Sequence, residues 1–205
     1  LPNCMEFTIQ NVVMFIPEEA KEKTVQLLEQ SKIEIKITRK RKTKHGDFRI
    51  NSKGETLITL NATENPYQFL ITLIHEMAHW FAFKTFGRHI KPHGKEWKQS
   101  FRDLMLPFLT PKIFPEPVLS QLARHLKNPK ASASSDLVLV QTLRAFDPPK
   151  ETITVLEVQE GSLFRLEDGR VFLRGKKRIK RILCQELSTR KEYLFSPVAE
   201  VYLKN

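Results

Sequence analysis

Hydrophobic and polar positions along the first third of the chain change from a helical to a strand-like period. A helical pattern opens at Pro17, where a proline and two glutamates precede apolar residues at helical spacing. Isoleucines then alternate with polar residues over 33–38, which is typical of a half-buried strand. Two further β-type runs, 48–50 and 56–60, follow with turn residues between them. We predict that the three runs form a three-stranded antiparallel sheet.

The strongest helical pattern begins after Asn65-Pro66 and ends at Gly87. Its apolar residues recur at helical spacing: Phe69, Leu70, Leu73, Ile74, Met77, Ala78 and Phe81. This spacing predicts the central helix of its domain. Three more helices are predicted, near residues 95–108, 116–127 and 136–146.

Beyond Asp147-Pro148-Pro149 the helical period disappears, and short β-type runs separated by glycines take over. The runs are residues 152–158, 163–166, 171–173, 179–187, 193–195 and 198–203. We therefore predict an α+β protein with two domains. Helices and a small antiparallel sheet occupy residues 1–147, and a small β-rich domain occupies residues 148–205.

Composition narrows the classes of protein to which this chain can belong. With 40% hydrophobic and 28% charged residues among 205, a wholly disordered or fibrous chain is excluded. No apolar run approaches the ~20 residues needed to cross a bilayer, so we predict no membrane partner. Cys4 and Cys184 are too few for a disulfide framework, which favours the reducing cytoplasm.

A complete HExxH motif, His75-Glu76-Met77-Ala78-His79, lies within the strongest predicted helix. Positions four apart lie on one face of a helix, so both imidazoles can bind the same zinc ion. Glu76 projects beside them, where its carboxylate can accept a proton from water. The motif therefore predicts a metallopeptidase centre with Glu76 as the general base. The competing interpretation is a helix with two surface histidines and an unrelated glutamate.

A catalytic zinc ion needs a third protein ligand, and the residues downstream of the motif leave its identity open. Ala82 and Thr85 exclude the class that carries the longer motif HExxHxxGxxH. Glu96 lies on the next predicted helix, roughly where glutamate-liganded zinc peptidases carry their third ligand. His89 and His93 lie in the connecting loop, and either could turn back over the first helix.

The HExxH motif and the segment His93-Gly94-Lys95-Glu96-Trp97 together resemble the SprT-like metalloprotease family, which includes Spartan. The resemblance covers roughly residues 1–145. In that family the second motif reads H-G-x-x-[WF], and its histidine is the third zinc ligand. The resemblance therefore implies a zincin-like fold with one Zn²⁺ held by His75, His79 and His93. The other three histidines, His45, His89 and His125, are interpreted as solvated loop residues.

Several members of that family carry a four-cysteine zinc ribbon after the protease domain. Beyond position 4 this chain has only Cys184, so we predict no second metal site. We expect the β-rich tail to take the place of the ribbon without its zinc. Spartan-like enzymes act on proteins crosslinked to DNA, and the resemblance implies the same class of substrate here.

Two basic segments can contact nucleic acid, and the net charge of +11 favours such a partner. The tail segment contributes Arg174, Lys176, Lys177, Arg178, Lys180 and Arg181. The segment at the first hairpin contributes Arg39, Lys40, Arg41, Lys42 and Lys44. Such clusters can neutralise phosphates and release counterions, whereas the alternative is a solvated basic surface. Nearby aromatic residues either stack on unpaired bases or form the core of the small sheet: Phe164, Phe172, Tyr193 and Phe195.

We therefore expect a cytoplasmic zinc metalloprotease that hydrolyses peptide bonds in DNA-bound or DNA-crosslinked proteins. Its DNA partner would be single-stranded or crosslinked, and its role would be DNA–protein crosslink repair. Two alternatives stay open: a non-enzymatic DNA-binding protein with a structural or vestigial metal site, and a peptidase for a specific regulator. The intact Glu76 argues against the first alternative, because a purely structural site does not need that base.

Overall fold

Two separate hydrophobic cores organise the computed structural model, which describes residues 9–39, 41, 44–63, 65–130 and 136–204. The chain divides into two units, residues 1–146 and residues 147–205. None of the described helices combines the length and the apolar character that crossing a membrane requires.

Six α-helices lie in the described part of the first unit. They are α1 (Ile9–Val13), α2 (Lys21–Ser31), α3 (Pro66–Phe86), α4 (Lys95–Met105), α5 (Glu116–Lys127) and α6 (Leu137–Arg144). Short 3₁₀ turns precede α2 and follow α4, at Glu18–Ala20 and Leu106–Phe108. All five helices predicted from the sequence are confirmed as α2 to α6. The sequence analysis did not predict α1.

Local sequence explains where α3 begins and ends. The Asn65 side chain accepts a hydrogen bond from the amide of Gln68, and Pro66 occupies the first turn, where its nitrogen needs no helical partner. Gly87, with a φ of 78°, ends the helix in a conformation that favours glycine. Between these ends nine of the 21 residues are buried, and all of them except Glu76 are apolar: Phe69, Leu70, Ile71, Leu73, Ile74, Met77, Ala78 and Ala82. The helix that carries the HExxH motif therefore lies at the centre of the first unit.

The sheet of the first unit contains β1 (Glu34–Thr38), β2 (Gly46–Ile50) and β3 (Thr56–Asn61) in the order β1-β3-β2. Strands β2 and β3 form an antiparallel hairpin, whereas β1 runs parallel to β3. The prediction of an antiparallel sheet is therefore wrong for the β1–β3 pair. Alternation of apolar and polar residues is the same in both orientations, so the pattern could not distinguish them. The sheet places β2 at an edge.

Six strands form the second unit. They are β4 (Ile153–Thr154), β5 (Leu163–Arg165), β6 (Val171–Lys177), β7 (Ile182–Glu186), β8 (Glu192–Phe195) and β9 (Glu200–Leu203). Their order is β4-β9-β5-β6-β7-β8, and each of these neighbouring pairs is antiparallel. The last strand therefore pairs between the first two. The expected β-rich tail is confirmed.

The core of the second unit is built on aromatic rings. Phe164 and Phe172 are buried and stack with their centroids 5.6 Å apart. Tyr193 and Phe195 pack edge-on against Phe172 at 5.5 and 4.9 Å. Phe164 and Phe172 are therefore core residues, and stacking on bases is excluded for these two. Cys184 is buried in the same core, while Cys4 lies outside the described residues.

Candidate metal centre

Three histidine side chains meet between α3 and the loop that precedes α4. His75 and His79 lie one turn apart on α3, and His93 lies in the loop. Nε2 of His79 is 3.0 Å from Nε2 of His93, which is 3.3 Å from Nε2 of His75. All three nitrogens lie within 4.8 Å of one another. The structure thus brings together the three histidines that the resemblance implies as metal ligands.

The spacing of these nitrogens suits a zinc ion. A zinc–nitrogen distance of about 2.0–2.1 Å in a tetrahedral site separates two ligand nitrogens by roughly 3.3 Å. The shortest separations of the cluster, 3.0 and 3.3 Å, are close to this value. Three imidazoles are also the protein ligands of a known kind of catalytic zinc site, in which the fourth position stays open. The cluster can therefore hold a metal ion, and its donor atoms fit zinc.

Burial keeps the three imidazoles neutral, as metal ligation requires. Desolvation and, to a smaller extent, the charge that His93 would carry together lower the pKa of His79 to about 3. Desolvation and the neighbouring imidazoles lower the pKa of His75 well below its usual value. Burial also lowers the pKa of His93. The folded protein therefore presents neutral ligands at pH 7 without first releasing protons.

The position of His93 depends on an uncommon backbone conformation. Its φ of 58° lies in the left-handed region, which few residues other than glycine adopt. The next amide, of Gly94, donates a hydrogen bond to the carbonyl of Lys91 at 2.8 Å. A Cβ at Gly94 would lie only 2.9 Å from that carbonyl oxygen. Histidine followed by glycine is thus the pair that lets this tight turn direct an imidazole toward α3.

Trp97, in the first turn of α4, supports all three imidazoles from one side. Its ring centroid lies 4.7 Å from those of His75 and His93 and 5.3 Å from that of His79. The indole N–H donates a hydrogen bond to the carbonyl of His75 at 3.3 Å. Trp97 is fully buried, so its packing against the three imidazoles helps the backbone to fix their positions.

Glu76 lies beside the cluster on α3 and is 7% exposed. Desolvation and the charge of Asp47 raise its pKa to about 7, while a hydrogen bond from the backbone amide of Phe48 opposes this shift. A general base works best when its pKa lies near the working pH. The environment of Glu76 is therefore that of a proton acceptor at neutral pH.

Gly46 is a residue of the site that the sequence analysis missed. A Cβ at this position would lie 2.8 Å from Cγ and Oε1 of Glu76, and 2.8 Å from Cγ2 of Thr72. The backbone of β2 therefore lies directly against the Glu76 side chain, and glycine leaves the necessary room. A glycine at the start of a β-type run signals such a close approach, but it does not identify the partner.

A cleft of about 560 Å³ opens over the cluster. Besides the three histidines and Glu76, it is lined by the apolar side chains of Phe48, Ile50, Phe83 and Ile90 and by the cations Lys44, Arg88 and Lys91. The histidine cluster is therefore accessible from this cleft.

The other ligand candidates lie elsewhere. Among the described residues, Glu96 and His89 do not belong to the cluster. His45 and His89 are exposed, as expected. The interpretation of His125 as a solvated loop residue is wrong, because it lies on α5, is 4% exposed and places Nδ1 3.1 Å from Oδ2 of Asp136. The sequence shows His125 only as a polar residue in a helical pattern, and it does not show that Asp136 lies beside it.

The first basic segment is only partly available to a ligand. Arg39 is exposed, while Lys40 and Lys42 lie outside the described residues. Arg41 donates hydrogen bonds to Oδ1 of Asn61 at 2.6 Å and to Oγ1 of Thr59 at 3.0 Å. The guanidinium of Arg41 is therefore engaged with β3. Lys44 lies 2.9 Å from a carboxylate oxygen of Asp47 at the rim of the cleft.

The second basic segment covers the end of β6 and the turn that leads to β7. Five of its six cations are exposed: Lys176, Lys177, Arg178, Lys180 and Arg181. Arg174 differs, because its side chain is largely buried and its Nη1 atom lies 3.1 Å from a carboxylate oxygen of Glu160. Arg174 is thus engaged within the second unit. The other five cations are exposed, and of these Arg181 also donates a hydrogen bond to the carbonyl of Leu194 at 3.5 Å.

Comparison with protein families agrees with the geometry of the first unit. Residues 15–112 match the model of the SprT-like family. The match spans the three histidines, Glu76 and Gly46, and it confirms the resemblance that the two sequence motifs carried. The first unit thus contains a SprT-like segment, which suggests a metalloprotease-type domain. Comparisons with curated proteins and with solved structures found no match.

Proposed function

We propose that the chain is a zinc-dependent peptidase with Glu76 as its general base. The supporting observation is one arrangement: three neutral imidazole nitrogens meet beside a buried carboxylate in an open cleft. A structural zinc site is closed by four protein ligands and needs no such carboxylate. Zinc held by His75, His79 and His93 would supply a Lewis acid that lowers the pKa of water and polarises a carbonyl.

Glu76 would move the proton during hydrolysis. Its carboxylate accepts a proton from the attacking water as the water oxygen bonds to the carbonyl carbon. The same carboxyl group then donates the proton to the leaving nitrogen as the carbon–nitrogen bond breaks. The amide of Phe48 orients the carboxylate, and the close backbone of Gly46 restricts where it can move.

The edge strand β2 suits an extended peptide as the substrate. The amide of Asn51, which directly follows β2, donates a hydrogen bond to the carbonyl of Glu55, which directly precedes β3. Successive residues of a strand direct their backbone N–H and C=O groups alternately to one side of the strand and to the other. Since those of Asn51 point toward β3, those of Phe48 and Ile50 point away from it. The amide of Phe48 reaches Glu76 in this way. A peptide that adds to this edge would run alongside the general base.

We further propose that the substrates are proteins bound or crosslinked to DNA. The net charge of +11 and the five exposed cations of the β6–β7 hairpin support an anionic partner of this kind. Binding of the enzyme and its substrate to one DNA molecule raises the concentration of the substrate at the cleft. DNA should therefore accelerate cleavage without taking part in the chemistry.

A cleavage assay with a basic, DNA-binding protein as the substrate tests both proposals. We expect fragments only when the protein is loaded with zinc, and faster cleavage when DNA is present. A chelator should abolish cleavage in both cases. Tight DNA binding without cleavage under any condition would favour a non-enzymatic DNA-binding protein. Cleavage of one regulator alone, unaffected by DNA, would favour the dedicated peptidase.

Replacing Asp47 with asparagine should move the acidic limb of the pH–rate profile to lower pH. The negative charge of Asp47 contributes to the raised pKa of Glu76, so its removal lowers that pKa. Glu76 accepts a proton only when ionised, and the variant should therefore stay active at more acidic pH. The measurement is kcat/KM against pH, with the exposed Asp103→Asn on α4 as the matched control. A profile for Asp47→Asn that coincides with that of the control would contradict this role.

A further inference from the structure

The tip of the β6–β7 hairpin carries an isoleucine that folding does not explain. The amide of Arg178 donates to the carbonyl of Arg181 at 2.7 Å, which closes a tight turn with Ile179 and Lys180 in the middle. Ile179 is 95% exposed, the highest value for a large hydrophobic residue in the described part of the chain. The middle positions of tight turns favour glycine, asparagine, aspartate, proline or serine. Neither core packing nor turn chemistry therefore accounts for an isoleucine here.

The surroundings of Ile179 are strongly cationic. The same five exposed cations flank it, two at the end of β6 and three in the turn: Lys176, Lys177, Arg178, Lys180 and Arg181. Within the part of the chain that the structure describes, none of them forms an ion pair. Five like charges that no described carboxylate offsets repel one another, and a polyanion that binds them relieves this repulsion.

The base of the hairpin is anchored, so the tip is held in a defined position. Phe172 on β6 and Ile182 and Cys184 on β7 are buried in the core of the second unit. The register shifts between Arg174 and Lys177, and a Cβ at Gly175 would lie 2.8 Å from the carbonyl oxygen of Leu183. A bulge and a close backbone contact therefore lie between the packed base of the hairpin and its tip. A hairpin with a packed base, flanking cations and an apolar residue at its tip is suited to inserting that residue into a ligand.

We propose that the β6–β7 hairpin binds DNA through its five cations and inserts Ile179 between neighbouring bases. The proposal rests on the DNA contact proposed above and specifies its form. Apolar side chains, isoleucine among them, act as wedges between base steps in proteins whose cations hold the adjacent phosphates. Unstacking costs less where bases are already unpaired or mismatched. The hairpin should therefore prefer a duplex that contains a bubble or a mismatch over a perfect duplex.

The test measures binding of the full-length protein to two fluorescent DNA duplexes, one perfect and one with a central unpaired bubble. A 2-aminopurine base beside the bubble reports unstacking. Ile179→Ser removes the wedge without changing charge, and Ile179→Leu keeps it. We expect Ile179→Ser to weaken binding to the bubble about tenfold and to abolish the rise in 2-aminopurine fluorescence. Ile179→Leu should behave like the wild type.

A second variant separates the wedge from the DNA contact itself. Reversing Lys176, Lys177 and Arg178 to glutamate should reduce the slope of log affinity against log salt by about three units. If Ile179→Ser matches the wild type on both duplexes and in 2-aminopurine fluorescence, the wedge is refuted although the DNA contact stands. If the triple reversal leaves the salt slope unchanged, the proposed DNA contact itself fails. Binding to anionic lipid vesicles that depends on Ile179, without binding to either duplex, would identify a membrane surface instead and overturn the proposal.

Discussion

Replacing Glu76 with glutamine is expected to reduce turnover by about 10²–10⁴-fold while the protein keeps one zinc ion per chain. Glutamine has nearly the same shape, so it fits against Gly46, but its amide cannot accept the proton from water. None of the three clustered histidines is altered, so metal affinity should persist. The measurements are kcat on a protein substrate and the zinc content of the same sample.

Glu96→Gln is the matched control for this prediction. Glu96 is a second glutamate near the centre, in the first turn of α4, and it lies outside the described histidine cluster. The control should keep both turnover and zinc. Retention of most of the turnover by Glu76→Gln would contradict the assignment of the base. Loss of zinc from Glu96→Gln would instead identify this glutamate as a ligand.

Replacing His79 with alanine should lower zinc affinity by more than about a hundredfold and abolish activity, because loss of a ligand costs more than loss of a supporting residue. Metal that binds only the folded state stabilises that state by mass action. Zinc should therefore raise the melting temperature of the wild type but not that of His79→Ala. Competition with a fluorescent chelator and thermal unfolding, each with and without zinc, provide the two measurements.

His89→Ala provides the matched control here. His89 is exposed and lies in the same loop as His93, but it does not belong to the described cluster. It should bind zinc and respond to it like the wild type. Equal zinc affinity of His79→Ala and His89→Ala would show that the three histidines do not form the metal site.

The parts of the site that could be predicted from the sequence are those fixed by local geometry or by a short motif. Helical spacing alone places His75 and His79 on one face of α3, with Glu76 beside them. The residues alone left His89, His93 and Glu96 as alternatives, and only the His-Gly pair of the family motif favoured His93. The structure gives that pair a physical basis in a left-handed residue followed by a close backbone contact.

The parts that could not be predicted depend on contacts between residues far apart in the chain. The parallel pairing of β1 with β3 joins strands about 20 positions apart, and residue alternation does not encode its direction. The contact between Gly46 and Glu76 joins a strand edge to a helix 30 positions later. Arg41 belongs to a basic run, yet its bonds to Asn61 and Thr59 assign it to the fold. The sequence shows how many cations a segment carries, but it does not show which of them already form hydrogen bonds within the fold.

The most direct test of a three-histidine zinc peptidase is a zinc titration of its activity. Protein stripped of metal by a chelator is titrated with zinc while cleavage of a quenched fluorescent peptide is followed. We expect no cleavage without zinc, a linear rise as zinc is added, and saturation at one equivalent per chain, the capacity of the single cluster among the described residues. Full cleavage by the stripped protein, or no cleavage at one bound equivalent, would contradict the proposed function.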